Sequence, residues 1–334
     1  MPLTSRVKSA RARVGCTIVF SACLAAASMF SASFVYAKTL KIASTPSGHL
    51  IWIAEEKGFF KDAGVDVEVV RFPSGLAASK ALLAGEIDLA TSSEFTFVSN
   101  VVRHPQLRIL AGIARVSAVR LFTRADSGIN LARDLVGRRV GVTRESIGEY
   151  FLGEYLLANG IGLSEVDLVD MTAPDITDAI KGGVVDAAIV WQPFVHRTAM
   201  ALGDNYRELP EQEAYFFHLL LIGQHSWVDA NQRPLGQVLS ALIQAEAYVR
   251  ENSAEAQKML ADRLQLNIGA VQAIWDSYVR EVNLDQTLLG LMEHEARWLV
   301  ENGLADVELI PSFLSVIEMG SLRVVKPSAV RFIQ

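Results

Sequence analysis

The chain has 334 residues, 31 Lys+Arg against 37 Asp+Glu, a net charge of −6 and 51% hydrophobic residues. That length suits one large or two moderate domains with substantial cores, and the acidic balance argues against a nucleic-acid partner. Both cysteines, Cys16 and Cys23, precede residue 38, so the rest of the chain offers no disulfide, thiolate nucleophile or cysteine metal site.

The first 37 residues read as an export signal. Arg6, Lys8, Arg11 and Arg13 form a basic head without an acid, Val14–Phe34 is apolar, and Val35-Tyr36-Ala37 ends on a small residue. Cleavage after Ala37 is expected, which makes the protein periplasmic. Removing those four from the 31 basic residues leaves 27 against 37 acids, a balance of −10. A membrane anchor is the alternative, because the apolar stretch is nearly long enough to span. A lipid on Cys23 is a third reading, weakened by Phe20 where Leu is expected.

From Thr39 the pattern predicts β-α-β-α-β. Thr39–Ala43 alternates and turns polar at Ser44-Thr45-Pro46-Ser47-Gly48. A helix is expected over His49–Lys57 with Ser47 as its N-cap, a short turn over Phe59–Ala63, and a strand over Val65–Phe72. Pro73-Ser74-Gly75 opens the next helix, whose apolar face is Ala78, Ala81, Leu82 and Ala84. Gly85 stops it, and Ile87–Ala90 is a strand short and apolar enough to be covered on both faces. Thr91-Ser92-Ser93-Glu94 then forms a polar cluster at that strand's carboxyl end, where open α/β sheets bind ligands.

A helix over Phe95–Val102 and a strand over Leu107–Ile113 follow, and Ala118–Thr123 is extended and leaves this lobe. The β-α-β-α-β order then repeats: strand Arg139–Val142, loop Thr143–Gly148, helix Glu149–Asn159, strand Val166–Met171, and the stretch Ile176–Trp191. That stretch restates the earlier one, since Gly85-Glu86-Ile87-Asp88 corresponds to Gly183-Val184-Val185-Asp186. Two copies predict two lobes facing across a cleft: lobe one from 38 to 121, lobe two from 122 to 217, and a return to lobe one from His218–Gly223 onward. The region after that strand reads as helices over Gly236–Asn252, Ala254–Leu264, Ile268–Tyr278, Gln286–Asn302 and Phe313–Met319.

Three predicted helices begin with hydroxyl or glycine residues at a strand's end, at Ser47-Gly48, Ser74-Gly75 and Ser146. Helix N-termini carry unpaired N–H groups and partial positive charge and attract anions. Ordinary capping explains each alone; their convergence on one cleft is what makes them a site. Glu94 is either a cap or an acceptor for a ligand ammonium or N–H. Trp52, Tyr150 and Trp191 lie near the same rim, where rings either stack on a ligand or pack in the core. Asp88 and Asp186 read as turn residues rather than catalytic acids. The six histidines form no metal-like pair. No nucleophile elbow, P-loop or dinucleotide fingerprint is present, so an enzyme, a cofactor and a metal are not expected.

The run Ile53-Ala54-Glu55-Glu56-Lys57-Gly58-Phe59-Phe60-Lys61-Asp62-Ala63-Gly64-Val65 resembles the substrate-binding proteins of ABC importers in the nitrate/sulfonate/taurine group, which are related to thiamine-precursor-binding proteins. So do Ala81-Leu82-x-x-Gly85-x-Ile87-Asp88-x-Ala90, Asp134-Leu135-x-Gly137-x-x-Val140-Gly141-Val142, Val185-Asp186-Ala187-x-x-x-Trp191-x-Pro193, and Ile310-Pro311-x-Phe313-Leu314 with Lys326-Pro327-x-x-Val330. The resemblance implies an α/β type II periplasmic-binding fold and a monomeric receptor that delivers a small solute to a membrane permease. It also implies cleft residues at matching positions: Ser44 to His49, Ser74, Gly75, Ser92, Ser93, Glu94, Thr143 to Ser146, and Trp191. Sulfonates, nitrate, bicarbonate and thiamine-precursor pyrimidines all remain open as ligands. The helix starts together with Glu94 predict a zwitterion such as taurine, with a polar heterocycle as the alternative ligand; the alternative function is a binding protein or exported enzyme for a thiamine-precursor-like pyrimidine.

Overall fold

The computed structural model describes residue 2 and residues 39–332 except 213, 214, 307 and 309. The expected export signal, residue 2 apart, lies outside them, and with it Cys23 and Ala37. In chain order the elements are β1 (Leu40–Ser44), α1 (His49–Glu56), α2 (Phe59–Asp62), β2 (Val67–Arg71), α3 (Gly75–Leu83), β3 (Leu89–Ser93), α4 (Glu94–Val101), β4 (Leu107–Val116) and β5 (Val119–Arg124). They continue with β6 (Arg139–Val142), α5 (Ile147–Ala158), β7 (Asp167–Asp170), α6 (Ile176–Lys181), β8 (Ala187–Trp191), α7 (Phe194–Leu202), β9 (Tyr206–Glu208) and β10 (Phe217–Gln224). Then come α8 (His225–Ala230), α9 (Gln232–Glu251), α10 (Ser253–Leu264), α11 (Ile268–Ile274), β11 (Tyr278–Val279), β12 (Leu284–Asp285), α12 (Gln286–Glu301), α13 (Gly320–Val325) and β13 (Val330–Arg331).

Two mixed sheets form two lobes, in the strand orders β11-β4-β10-β3-β1-β2 and β7-β6-β8-β5-β9. Their cores correspond. β1 lies parallel between β2 and β3, as β6 lies parallel between β7 and β8. Next to β3 and to β8 runs one antiparallel strand that enters from the other lobe, β10 in the first and β5 in the second. β3 and β8 are buried along their whole length, as expected of strands covered on both faces.

The repeated Gly…Asp unit is a structural staple. Gly85 (φ 73°) and Gly183 (φ 71°) take the left-handed turn that ends each helix. Asp88 then exchanges two bonds with the start of β1, its carboxylate accepting the Lys41 N–H (2.9 Å) and its N–H donating to the Lys41 carbonyl (3.0 Å). Asp186 does the same to Arg139 at the start of β6 (3.0 and 2.8 Å) and pairs with the Arg139 guanidinium (2.8 Å). Each aspartate fixes where one parallel strand begins relative to its neighbour.

Several expectations shift. The third strand is Leu89–Ser93, so Thr91-Ser92-Ser93 lie within it rather than beyond it; the β10 ladder holds them there, Leu220 opposite Ser92 and Leu219 opposite Ser93. The chain crosses between lobes at Ser117-Ala118. Val119–Leu121, expected in the first lobe, pair with β8 in the second, Val119 opposite Trp191. Alternation predicts an extended segment but not the sheet it joins. Ser47 is not an N-cap: Gly48 holds that position, and no side chain caps α1. Phe313–Val316 makes only one tight turn, and the last helix is α13. Among the described residues no helix is long and apolar enough to cross a membrane.

Candidate functional site

Between the two sheets lies a cavity of ≈ 30 Å³. Six hydroxyl residues line it, Thr45, Ser47, Ser74, Ser93, Thr96 and Ser146, together with Gly75. The apolar wall is Ile147, Trp191, Phe217 and Leu219. No lining side chain is charged. Six of the thirteen residues singled out in the sequence meet here: Ser47, Ser74, Gly75, Ser93, Ser146 and Trp191.

The hydroxyls are where they are because helices start there. Ser74 caps α3 by accepting the Ala77 N–H (3.2 Å), Ser93 caps α4 through Thr96 N–H (3.2 Å), and Ser146 caps α5 through Gly148 N–H (3.2 Å). Thr45 and Ser47 lie in the turn before α1, where the Thr91 hydroxyl accepts the Thr45 N–H (2.9 Å). Four helix N-termini, three from one lobe and one from the other, thus face one small uncharged space. Each favours a nearby negative charge by about 0.3–1 kcal/mol when exposed and up to ~2 when partly buried. Gly75 permits the close approach of α3: a Cβ there would lie 3.0 Å from the Ser92 Cα.

The other candidates do different work. The Ser44 side chain is fully buried beside Gly48, whose Cβ would stand 2.2 Å from the Ser44 Oγ. Ser92 is fully buried, and its Oγ accepts from Ser79 (3.4 Å). The Thr143 hydroxyl donates to the Met171 carbonyl (2.8 Å). His49 stacks near the Tyr278 ring (4.3 Å) and accepts at Nδ1 from Arg280 (3.1 Å). Burial, then the Arg280 charge, pushes its pKa well down, so it is a neutral packing group. Trp52 is buried with the Arg263 guanidinium over its ring (5.6 Å). Tyr150 stacks on Phe95 (5.0 Å), and its hydroxyl lies 2.6 Å from His294 Nδ1.

Glu94 corrects the sharpest expectation. It is the first residue of α4, fully buried, and its carboxylate accepts the His218 N–H (2.9 Å) rather than lining the cavity. Burial raises its pKa, against the His218 interactions that lower it. Glu295, also fully buried, is raised well above the usual range by burial and then by Glu94. No carboxylate is among the lining residues, so the zwitterion expectation, which rested on Glu94, loses its basis.

Besides Ile147, three lining residues were not expected at the site, Thr96, Phe217 and Leu219, whereas Thr45 lies in the Ser44 to His49 stretch that the resemblance implies. The three carry signals of their own. Thr96 stands three residues after Ser93 on the same helical turn, and Phe217 and Leu219 alternate around His218 on the return strand.

Among curated proteins, the chain is 27% identical over 176 residues to the taurine-binding periplasmic protein of Escherichia coli (52% of this chain, 54% of that protein). It is 24% identical over 339 residues to the 2′-hydroxybiphenyl-2-sulfinate desulfinase of Rhodococcus erythropolis (80% and 88%). Among solved structures, the alkanesulfonate-binding protein SsuA of Xanthomonas axonopodis pv. citri bound to MOPS superposes with TM-score 0.75 at 18% identity, covering 84% of this chain and 98% of that one. The fold is therefore that of the periplasmic binding proteins, as the sequence resemblance implied. The NMT1/THI5-like family model matches residues 46–256, and the chain belongs to that family.

Proposed function

We propose that this protein is an exported receptor. In this reading it binds a small organic oxyanion, an organosulfonate with a short apolar tail, between its lobes and delivers it to the membrane permease of an ABC importer. The observation that carries this is the convergence of four helix N-termini on a hydroxyl-lined cavity with no charged side chain. Such a site holds an oxyanion through N–H and O–H donors, while Trp191, Phe217, Leu219 and Ile147 take the tail. The E. coli and Xanthomonas relatives, named for taurine and alkanesulfonates, support the same class. One chain supplies the whole cavity, so a monomer suffices.

The composition of the lining supports reading the site as one for binding rather than conversion. None of the eleven residues is Cys, His, Lys, Asp or Glu, so the cavity offers no nucleophile with an activating base and no acid–base pair. A polar ring such as a thiamine-precursor pyrimidine is a second reading, favoured by the two aromatic walls, Trp191 and Phe217. The test is calorimetry on the purified protein with ethanesulfonate, sulfate, taurine and an aminopyrimidine, with mass spectrometry of the recovered ligand. One-to-one binding of unchanged ethanesulfonate is expected. Conversion of the sulfonate, or heat with the pyrimidine alone, overturns the reading.

A further inference from the structure

Glu145 does not line the cavity, yet the two lobes are tied together through it. It sits in the loop between β6 and α5, directly before Ser146, with φ 57°, a left-handed conformation that side-chain-bearing residues hold only when surrounding bonds fix it. Three bonds do so. Its N–H donates to Glu149 Oε2 (2.6 Å) in its own lobe, its carbonyl accepts from the Thr96 hydroxyl (3.1 Å), and its carboxylate pairs with Arg103 (2.9 Å). Thr96 and Arg103 belong to the first lobe. Along the same seam a cavity of ≈ 290 Å³ separates Leu76 from Asp170, so these two grips stand where packing does not close the gap.

We propose that Glu145 is a positioning residue of the solute site. Gripped by Thr96 and Arg103, it fixes Ser146 and the first turn of α5 against the first lobe. This rests on the cavity being the solute site. The link is a hydroxyl relay along the cavity wall: Ser93 Oγ donates to Thr96 Oγ1 (3.0 Å), and Thr96 Oγ1 donates to the Glu145 carbonyl. Ser93 and Ser146, the caps that face each other across the cavity, are thereby joined through one backbone carbonyl. Ordering either one orders the other. The two grips differ in kind. The side chains of Arg103 and Glu145 are 52% and 41% exposed, so that pair is weak and screened by salt. The Thr96 bond is part-buried and neutral.

The test is hydrogen exchange of the amides of Gly148, Glu149 and Tyr150, all of which bond back to Ser146. It needs no ligand. Thr96→Val should speed their exchange roughly tenfold, about the worth of one hydrogen bond, at low and high salt alike, and Thr96→Ser should restore the wild-type rate. Arg103→Ala should speed it about threefold at low salt and not at high salt. Exchange in β3 and β10 serves as the folding control. Unchanged exchange in Thr96→Val, or no rescue by Thr96→Ser, overturns the proposal. In a second arm, bound ethanesulfonate should dissociate faster from Thr96→Val than from wild type; dissociation at the wild-type rate overturns the role at the solute site. If the exchange results hold while no sulfonate binds, the positioning stands and the sulfonate reading is what fails.

Discussion

The two copies of the helix–glycine–aspartate–strand unit share a scaffold and differ in chemistry. Asp88 and Asp186 make the same reciprocal bonds to Lys41 and Arg139, and β3 and β8 occupy the same place in their sheets. At their carboxyl ends they part. β3 ends in Ser93, whose hydroxyl caps α4 at the cavity; β8 ends in Trp191, and α7 after it has Pro193 at its N-cap position and no side-chain cap. The first lobe presents donors through three helix starts, and the second presents one helix start and an aromatic wall. Repetition marks the scaffold, while the site is made where the copies stop matching.

The largest effect should come from breaking the aromatic side of that contrast. Trp191→Ala is expected to weaken an apolar-tailed sulfonate by ~30-fold or more, about 2 kcal/mol for truncating a central aromatic anchor, and methanesulfonate far less, as calorimetry would show. An equal loss for both would mean that Trp191 shapes the fold and not the tail site.

Next comes a paired glycine test across the lobes. Gly75→Ala drives a Cβ to 3.0 Å from the Ser92 backbone and should cost about 1–3 kcal/mol of stability by overpacking. At Gly148, the first turn of α5, the nearest atom to an added Cβ is the Ser146 Oγ at 3.4 Å, an ordinary contact. Gly148→Ala should be neutral or stabilising by up to ~1 kcal/mol. Denaturant titration of both variants checks the difference.

The scaffold has its own pH signature. The Arg139 guanidinium, with the Arg139 N–H, lowers the Asp186 pKa below its usual value. A lowered carboxyl adds stability that is present above the unfolded pKa, about 4, and lost as pH falls through the folded value. Asp186→Ala should therefore cost about 1–2 kcal/mol at neutral pH, discounted for the half-exposed arginine, and the gap to wild type should shrink as pH falls through the lowered folded value. A gap that persists unchanged under acid would assign its cost to packing.

The smallest expected effect is at Glu94. Since its carboxylate faces His218, Glu94→Gln should leave the taurine-to-ethanesulfonate affinity ratio unchanged, with both measured by calorimetry. A loss confined to taurine would return Glu94 to the site.

The sequence carried the scaffold well because the scaffold is local. Periodicity, Gly85, Gly183 and the two aspartates mark each unit within about sixteen residues. Caps were legible for the same reason, Ser74 and Ser146 bonding two or three residues ahead. The misread residues depend on distant partners. Glu94 answers to His218, 124 residues on, Tyr150 to His294, 144 on, and His49 to Arg280, 231 on. No local pattern shows which way such a side chain turns. The sheet that claims Val119 is likewise decided by Trp191, far along the chain.

The cavity's ≈ 30 Å³ has room for about two waters, at ~10–15 Å³ each, so the proposed binding of an organic solute requires the lobes to part. Among ligands that enter, the absence of any charged lining side chain sets the preference. The most direct measurement is the ratio of dissociation constants for ethanesulfonate and taurine on the purified protein. Tighter binding of ethanesulfonate by roughly tenfold or more is expected, since a buried ammonium left without a charged partner costs at least the ~1–3 kcal/mol of an unsatisfied neutral group. Tighter binding of taurine would contradict it.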